Sequence, residues 1–325
     1  MTLIVGLAGL REVGKSLASG YLASKYNLAK VHPFNGGKAM CRAYFMHRGV
    51  DANVAWRMTD GDMKNNACPQ LPDCESSRYF MERLGKFMGV DMGPSWTLER
   101  ELMLAEKNIS GRDAFAAAAI DWEGARDGHV PGRAKHASDT PVSAAVDTMV
   151  QAYLLHLGLS QGDADRMVSG DLGDVPCAYL PDRRSTSWMK SRIQGFMDDI
   201  MGAQWSRNDY PECPASILAD WVRVVGTGTA FVQPPVLRGS GLLAESIVYE
   251  DVSIRTLGGY IARINRKGRN PTVGLETDAY TARMQVDYDI QNDGSIAELE
   301  AVMDELMLDV RAHYVANREG DMVCA

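Results

Sequence analysis

Eight residues near the amino terminus carry the most specific chemistry in the chain. They read Gly9-Leu-Arg-Glu-Val-Gly14-Lys15-Ser16 and satisfy GxxxxGK[ST] at every defined position. Glycines let successive backbone N–H groups turn inward around phosphate oxygens. A lysine at a helix start adds an ammonium to the partial positive charge of the helix end. The adjacent hydroxyl is a hard oxygen ligand suited to Mg2+. The pattern therefore predicts a triphosphate site of the P-loop kind, with Gly9, Arg11, Val13, Gly14, Lys15, Ser16 and Leu17 around the nucleotide. Lys15 is expected at the β- and γ-phosphates and Ser16 on the metal. Kinases, ATPases and GTPases share such a loop. No NKxD-type guanine motif is present, which points to ATP rather than GTP.

The motif needs a strand before it and a helix after it, and both are legible. Residues 3–8, LIVGLA, read as a short buried strand, and residues 15–25 as a helix with Leu17, Tyr21 and Leu22 on one side. A second strand is expected at 28–31 and a helix at about 36–48. Residues 246–264 suggest a strand ending in Glu250-Asp251, a turn at Gly258-Gly259 and a further strand. Residues 286–299 read as a strand, an Asn-Asp-Gly turn and a helix capped by Ser295 with Glu298 at the capping-box position; the final helix is expected to reach about 315. Alternating strands and helices imply an α/β fold, a P-loop three-layer sandwich with a parallel sheet. Asp251, at the expected strand end, is placed to act on Mg2+-bound water or a substrate hydroxyl.

Composition narrows the class. At 325 residues the chain can bury a large core, and 46% hydrophobic with 23% charged residues is ordinary for a soluble globular protein. A net charge of −8 repels nucleic-acid phosphates and argues against non-specific DNA binding. The apolar start lacks a basic flank and runs into the glycine loop, so it is not read as a signal peptide. No run reaches the ~18 apolar residues of a membrane span. The six cysteines (Cys41, Cys68, Cys74, Cys177, Cys213 and Cys324) form no CxxC pair and are expected to be reduced thiols of a cytoplasmic protein.

Three blocks of the chain resemble bacteriophage deoxynucleoside monophosphate kinases. The first is the glycine loop with its strand. The second is GDxK…LP…RYFMExxGxFMG…GPxWTL, here Asp62, Lys64, Leu71, Pro72, Arg78, Glu82, Gly85 and Trp96. The third is LGGxIxRIxR…DYxIxNDGS…EL, here Gly258, Gly259, Arg263, Arg266, Asp287, Asn292, Asp293 and Gly294. Together they cover about 1–105 and 244–310. The resemblance implies a nucleoside-monophosphate-kinase-like fold and transfer of the ATP γ-phosphoryl group to a deoxynucleoside 5′-monophosphate. Lys38, Lys64, Arg78 and Glu82 are expected at the acceptor, Arg78 with Lys15 and Asp251 in catalysis, and Arg266 at the nucleotide; the alternatives are surface lysines at 38 and 64, an i,i+4 pair of Arg78 with Glu82, a strand-end cap at Asp251 and a solvated Arg266. The family's DVRFxNE segment is expected after the strand, but Asp251-Val252 is followed directly by Ser253-Ile254-Arg255. A histidine–glutamate pair expected near 275–276 reads Leu275-Glu276.

The two halves of the resemblance are separated by a long insertion that repeats the first helical unit. Residues 152–159 match 43–50, and residues 166–205 match 57–96 at the same offset without a gap. Shared positions include His47/His156, Asp62/Asp171, Cys68/Cys177, Phe87/Phe196 and Trp96/Trp205. The apolar stripe Phe80, Leu84, Phe87, Met88 is kept as Met189, Ile193, Phe196, Met197. The polar residues are not: Lys38, Lys64, Arg78 and Glu82 become Asp147, Gly173, Ser187 and Ser191. Packing persists in the second copy while anion handling is lost. His47 and His156, beside apolar neighbours, are expected to be packed structural residues. The organisation expected is a core half with the first helical unit at 1–105, a helical insertion at 106–215 and the other core half at 216–325. Residues 106–141 read as a helix and loop, and 226–242 as a connector.

These observations lead to an ATP- and Mg2+-dependent nucleotide kinase with a small-molecule nucleotide substrate, no membrane partner and a homodimer as one arrangement. Two other readings stand beside it. One is a phage DNA-modification kinase acting on a 5-hydroxymethylpyrimidine in DNA. The other is a catalytically silent nucleotide-binding module.

Overall fold

The structure, a computed structural model, describes residues 3–110, 141–207, 213–227, 239–271 and 276–323. Strand β1 (Ile4–Ala8) leads into helix α1 (Lys15–Tyr26) and β2 (Leu28–Val31). Helices α2 (Asn35–His47), α3 (Ala52–Thr59), α4 (Ser77–Lys86) and α5 (Leu98–Ser110) follow. Next come α6 (Pro141–His156), α7 (Gln161–Ser169), α8 (Thr186–Arg207) and α9 (Ala215–Thr227). The chain then runs through β3 (Gly241–Glu245), α10 (Asp251–Thr256), β4 (Tyr260–Asn265), α11 (Glu276–Arg283), β5 (Tyr288–Gln291) and α12 (Ile296–Val323). The expected linker at 106–141 is described only to Ser110, and most of the expected connector at 226–242 lies outside the described residues, as does Leu275.

The chain divides into two compact units. One comprises Met1–Pro33, Glu101–Arg112 and Pro235–Ala325; the other comprises Phe34–Arg100 and Asp113–Pro234. The first helical unit and its repeat thus share one unit, and the sheet belongs to the other.

The sheet unit is α/β. Its five strands run in the order β2-β3-β1-β4-β5 and all pairs are parallel. β1 is central, and all five of its residues are buried, which is why its sequence is continuously apolar rather than alternating. One face places Val5, Leu7, Ala262, Ile264 and Ile290 against Leu22 of α1 and Leu299, Met303 and Val310 of α12. On the other, Gly6 leaves room for Ile254 of α10: a Cβ there would stand 2.5 Å from the isoleucine Cδ1. Helix α1 stops at Asn27, whose left-handed backbone (φ 52°) caps it. Helix α12 starts at the expected capping box: the Ser295 amide donates to Glu298 Oε2 (2.6 Å), and the Glu298 amide donates to Ser295 Oγ (3.3 Å).

The helical unit holds two copies of one design. Helices α2 and α3 correspond to α6 and α7. Tight turns at Pro72–Cys74 and Pro181–Arg183 precede α4 and α8. Both turns hold two successive non-glycine residues at positive φ, Asp73-Cys74 (53°, 53°) and Asp182-Arg183 (52°, 52°). Both are closed by an isolated antiparallel bridge, Ala67 with Ser76 and Pro176 with Ser185. The Arg78 amide donates to the Lys64 carbonyl (3.0 Å) as the Ser187 amide does to that of Gly173 (2.8 Å). The core positions also correspond: Met40/Met149, Tyr44/Tyr153, Met58/Met167, Cys68/Cys177, Leu71/Leu180 and Leu84/Ile193 are all buried. A repeated strained turn at the same register is far more specific than a repeated helix, so the duplication is structural as well as textual.

Two expectations need correction. Cys74 and Cys213 form a disulfide, with Cα atoms 6.3 Å apart, a separation suited to the bond. They lie 139 residues apart in sequence, so no local spacing announces the pair. Cys41, Cys68 and Cys177 are free and buried. Burial pushes the Cys68 thiol up to about 12 and that of Cys177 to about 11, so both stay protonated and inert. His47 is exposed rather than packed, because the last turn of α2 extends past the apolar face that Tyr44 and Phe45 bury. Among the described residues no helix is long and apolar enough to cross a membrane.

Candidate functional site

The glycine loop leaves the C-terminal end of β1 and enters α1, and its shape is set by two close approaches. Gly9 has φ +145°, and a Cβ there would fall 2.4 Å from the carbonyl oxygen of Ile264 on neighbouring β4. Gly14 has φ +101°, and a Cβ there would fall 2.5 Å from Asn292 Nδ2. Both positions therefore require glycine on two counts, backbone region and space. Between them Val13 is buried in the sheet core, and its carbonyl accepts from Asn292 Nδ2 at 2.7 Å. Asn292 itself is held by its amide, which donates to the Asn265 carbonyl (2.8 Å). The Asn-Asp-Gly turn read from sequence is thus a brace for the loop. Asp293 does the same for the chain after β4, accepting from the Lys267 amide (2.6 Å).

Lys15, the first residue of α1, folds back over this loop. Its Nζ donates to the carbonyls of Gly9 (2.6 Å) and Leu10 (2.5 Å). An ammonium has three donors, so one remains for a ligand. Burial pushes Lys15 down to about 8; Asp278 and Glu245 pull it up, and Arg11 pushes it further down. A partly desolvated cation of this kind gains from an incoming polyanion, which restores the charge the fold disfavours. Ser16 and Leu17 are exposed at the start of α1, and Arg11 is exposed at the loop tip. Arg269, which the sequence reading passed over, pairs with Glu12 of the loop (2.6 Å), while Arg266 is exposed just beyond β4.

The acid at the strand end is Glu245, not Asp251. β3 reads GLLAE, four buried or nearly buried residues followed by the carboxylate, and it lies next to β1 in the sheet. Ser19 of α1 donates its hydroxyl to Glu245 Oε2 (2.5 Å), and Lys30 of β2 pairs with the same carboxylate (2.9 Å). The sequence reading carried the strand on to Glu250-Asp251 because Ile247-Val248-Tyr249 has strand character. Instead the chain turns at Ser246 (φ 60°), and Glu250 Oε2 closes the turn by accepting from the Val248 (2.8 Å) and Tyr249 (3.0 Å) amides. Asp251 then opens α10 and accepts from the Tyr280 hydroxyl (2.9 Å). The segment between β3 and α10 is therefore Ser246–Glu250.

Arg263 is a brace. It faces Asp289 across the β4–β5 pair, forms an ion pair with it at 2.5 Å and donates to the carbonyls of Ala282 (2.9 Å) and Met284 (3.2 Å). Beside Ser16, the exposed side chains of Leu17 and Ile296 border an open cavity of about 280 Å³ between α1 and α12. Its lining includes no cation.

In the helical unit the expected acceptor residues fall into two groups. Lys38 of α2 pairs with Asp60 (2.9 Å), and Arg42 takes the other oxygen (2.8 Å) while stacking on the Trp56 ring (3.7 Å). Burial alone would raise the Asp60 carboxyl, but Lys38, Thr59 and Arg42 hold it below the usual carboxylate range. Two cations on one carboxylate leave an excess positive charge on this half-buried face. Lys64, Arg78 and Glu82 lie on the turn before α4 and on α4 itself, all half-buried. Among the described residues no carboxylate pairs with the Arg78 guanidinium. In the second copy Asp147 pairs instead with Lys190 (2.6 Å), so the charges are rearranged and the excess is gone.

The donor set fits a nucleotide with Mg2+. The Ser16 hydroxyl and the Glu245 carboxylate are hard oxygen ligands, and Lys15 supplies the countercharge. Among the described residues no group of three or more His, Cys, Asp or Glu side chains gathers to hold a metal alone. A cation here would need further oxygens, which phosphates provide. No family model matches the chain, and no curated protein matches it.

Proposed function

We propose that residues 9–16 form a P-loop that holds the triphosphate of ATP, and that the chain transfers the terminal phosphoryl group to a deoxynucleoside 5′-monophosphate. The observation that carries the nucleotide half is the Lys15 ammonium, desolvated and folded over a loop whose two glycines admit no side chain. The loop leaves the central strand of a parallel sheet at its C-terminal end, where ligands of open α/β sheets bind. The acceptor half rests on the resemblance carried by residues 61–102 and 246–299.

Each residue then has a role. The loop amides and the spare donor of Lys15 take up phosphate charge as it spreads over the transferring oxygens. Ser16 and Glu245 would hold Mg2+, which when bound neutralises the β- and γ-phosphate oxygens. Arg78 grips the acceptor phosphate with a planar, bidentate fork. An acceptor phosphate has its second pKa near 6 and is already an oxyanion at neutral pH, so it needs no strong base. A hydroxymethyl group in DNA would need one, and Asp251, the acid first assigned to that task, is engaged by Tyr280. That difference and the negative net charge favour the mononucleotide over DNA.

One assay decides. The protein is incubated with γ-labelled ATP and Mg2+, with a panel of deoxynucleoside monophosphates, with hydroxymethylated DNA, and with no acceptor. Label in a diphosphate supports the reading. Label in DNA, or none moved at all, defeats it.

A further inference from the structure

The two helical copies meet through the same face of each. Helix α2 packs on its own counterpart α6, and this is the most extensive helix pair in the unit. Phe87 stacks on Phe196, its counterpart in the repeat, with ring centroids 4.8 Å apart and planes 27° apart. Phe80 of the first copy also reaches Phe196 (6.4 Å). A residue touching its own equivalent is informative. In a head-to-tail stack of repeats, one surface of a copy meets a different surface of the next, and equivalent residues stay apart. Contact between equivalents arises when a two-fold axis passes between them, as in an isologous dimer. The pair Phe87/Phe196 marks that axis.

We infer that the second helical copy is an internal replacement for a second chain: one polypeptide carries both halves of an isologous dimer and is monomeric in solution. Three further observations agree. The shared face is apolar and buried on both sides, with Tyr44, Phe45 and Phe80 in one copy and Tyr153, Leu154 and Met189 in the other. Trp96 of the first copy lies between Tyr153 (6.3 Å) and Trp188 (5.4 Å) of the second, and its carbonyl accepts from the Tyr153 hydroxyl (2.8 Å). The two sides have drifted apart in the way separate protomers of a homodimer cannot. Arg192 lies over the Phe87 ring (5.4 Å) and donates to the Asp91 carbonyl (3.4 Å), whereas its equivalent Arg83 lies over Tyr79 in its own copy (4.9 Å). The same drift removed Lys38, Lys64 and Arg78 from the second copy, so the pair keeps one anion-handling member. The inference about assembly does not depend on the proposed reaction.

Light scattering on the full chain, from about 1 to 200 µM, reads the mass directly. A single-chain mass of 35.6 kDa throughout is expected. A two-chain mass at any of these concentrations overturns the inference. A second measurement tests the axis itself. The volume-similar variants Phe87→Leu, Phe196→Leu and the double variant are compared by urea midpoint. Because the two rings touch, the shift of the double variant is expected to be smaller than the sum of the single shifts. Shifts that add fully overturn the pairing of the copies through this face.

Discussion

Asn292 crowds Gly14: the asparagine side-chain nitrogen stands 2.5 Å from where a Cβ on the glycine would fall, and from there it donates to the Val13 carbonyl. The glycine loop is therefore shaped from outside, by a residue 279 positions away in sequence. Asn292→Leu leaves the buried Val13 carbonyl unpaired, at a cost of about 1–3 kcal/mol. The expected outcome is a lower urea midpoint together with weaker nucleotide uptake in calorimetry. Unchanged uptake at lowered stability would separate the brace from the binding site.

Lys15 gives the pH dependence. It titrates at about 8 in the folded chain against 10.5 ordinarily, so the fold disfavours its charge. The stability it withholds below pH 8 is recovered as pH rises from 8 towards 10.5. Nucleotide binding has the opposite sign, because a polyanion favours the ammonium. ATP affinity is expected to fall as pH climbs through 8, with proton uptake on binding near pH 8.5. Calorimetry in two buffers of different ionisation enthalpy reads that proton. Lys15→Ala should cost roughly 10–100-fold in affinity, the worth of a charged hydrogen bond.

Glu245 and Asp251 make opposed predictions. Glu245→Gln keeps the shape and removes the charge that Ser19 and Lys30 contact, so the Mg2+ concentration needed for half-maximal turnover should rise several-fold. Asp251→Asn removes a charge but keeps an oxygen that accepts from Tyr280, and should leave the Mg2+ titration where it was. The same titration on both variants checks the assignment, and a larger shift for Asp251→Asn would reverse it.

Arg78 and Arg192 separate the two helical copies. Removing a group that stabilises transition-state charge costs about 10²–10³ in turnover. Arg78→Ala is expected to show a loss of that order, while Arg192→Ala, at the contact between copies, should change stability and leave turnover near its original value. Equal losses would mean that the copies do not divide their tasks.

Much of the fold is readable from the chain. β1, its loop and α1 are written as an apolar run, two glycines and a helix start, and the capping box at Ser295 and Glu298 fixes the start of α12. The repeat is visible because its strained turns need the same short-range residues twice. The strand-end acid was not readable. Ile247-Val248-Tyr249 continues the apolar pattern past the true end of β3, and the turn that stops it depends on one left-handed serine and on Glu250 closing it from behind. The bracing role of Arg263 was not readable either, because its partner, Asp289, is opposite only once β4 and β5 are in register. The disulfide and the brace from Asn292 are long-range for the same reason.

Helix α9 buries none of its side chains, and Leu218 and Val222 are exposed. Close to its start, Cys213 is tied to Cys74. At its far end the carbonyls of Val224 (3.0 Å) and Val225 (3.2 Å) receive the buried guanidinium of Arg57, which Asp62 neutralises. A helix fastened this way behaves like a beam pinned at its supports: reducing the sulfur bond frees one support while the arginine keeps the other. Amide exchange along 215–227 should then quicken from the cysteine end inward, leaving α2 and α6 as slow as before.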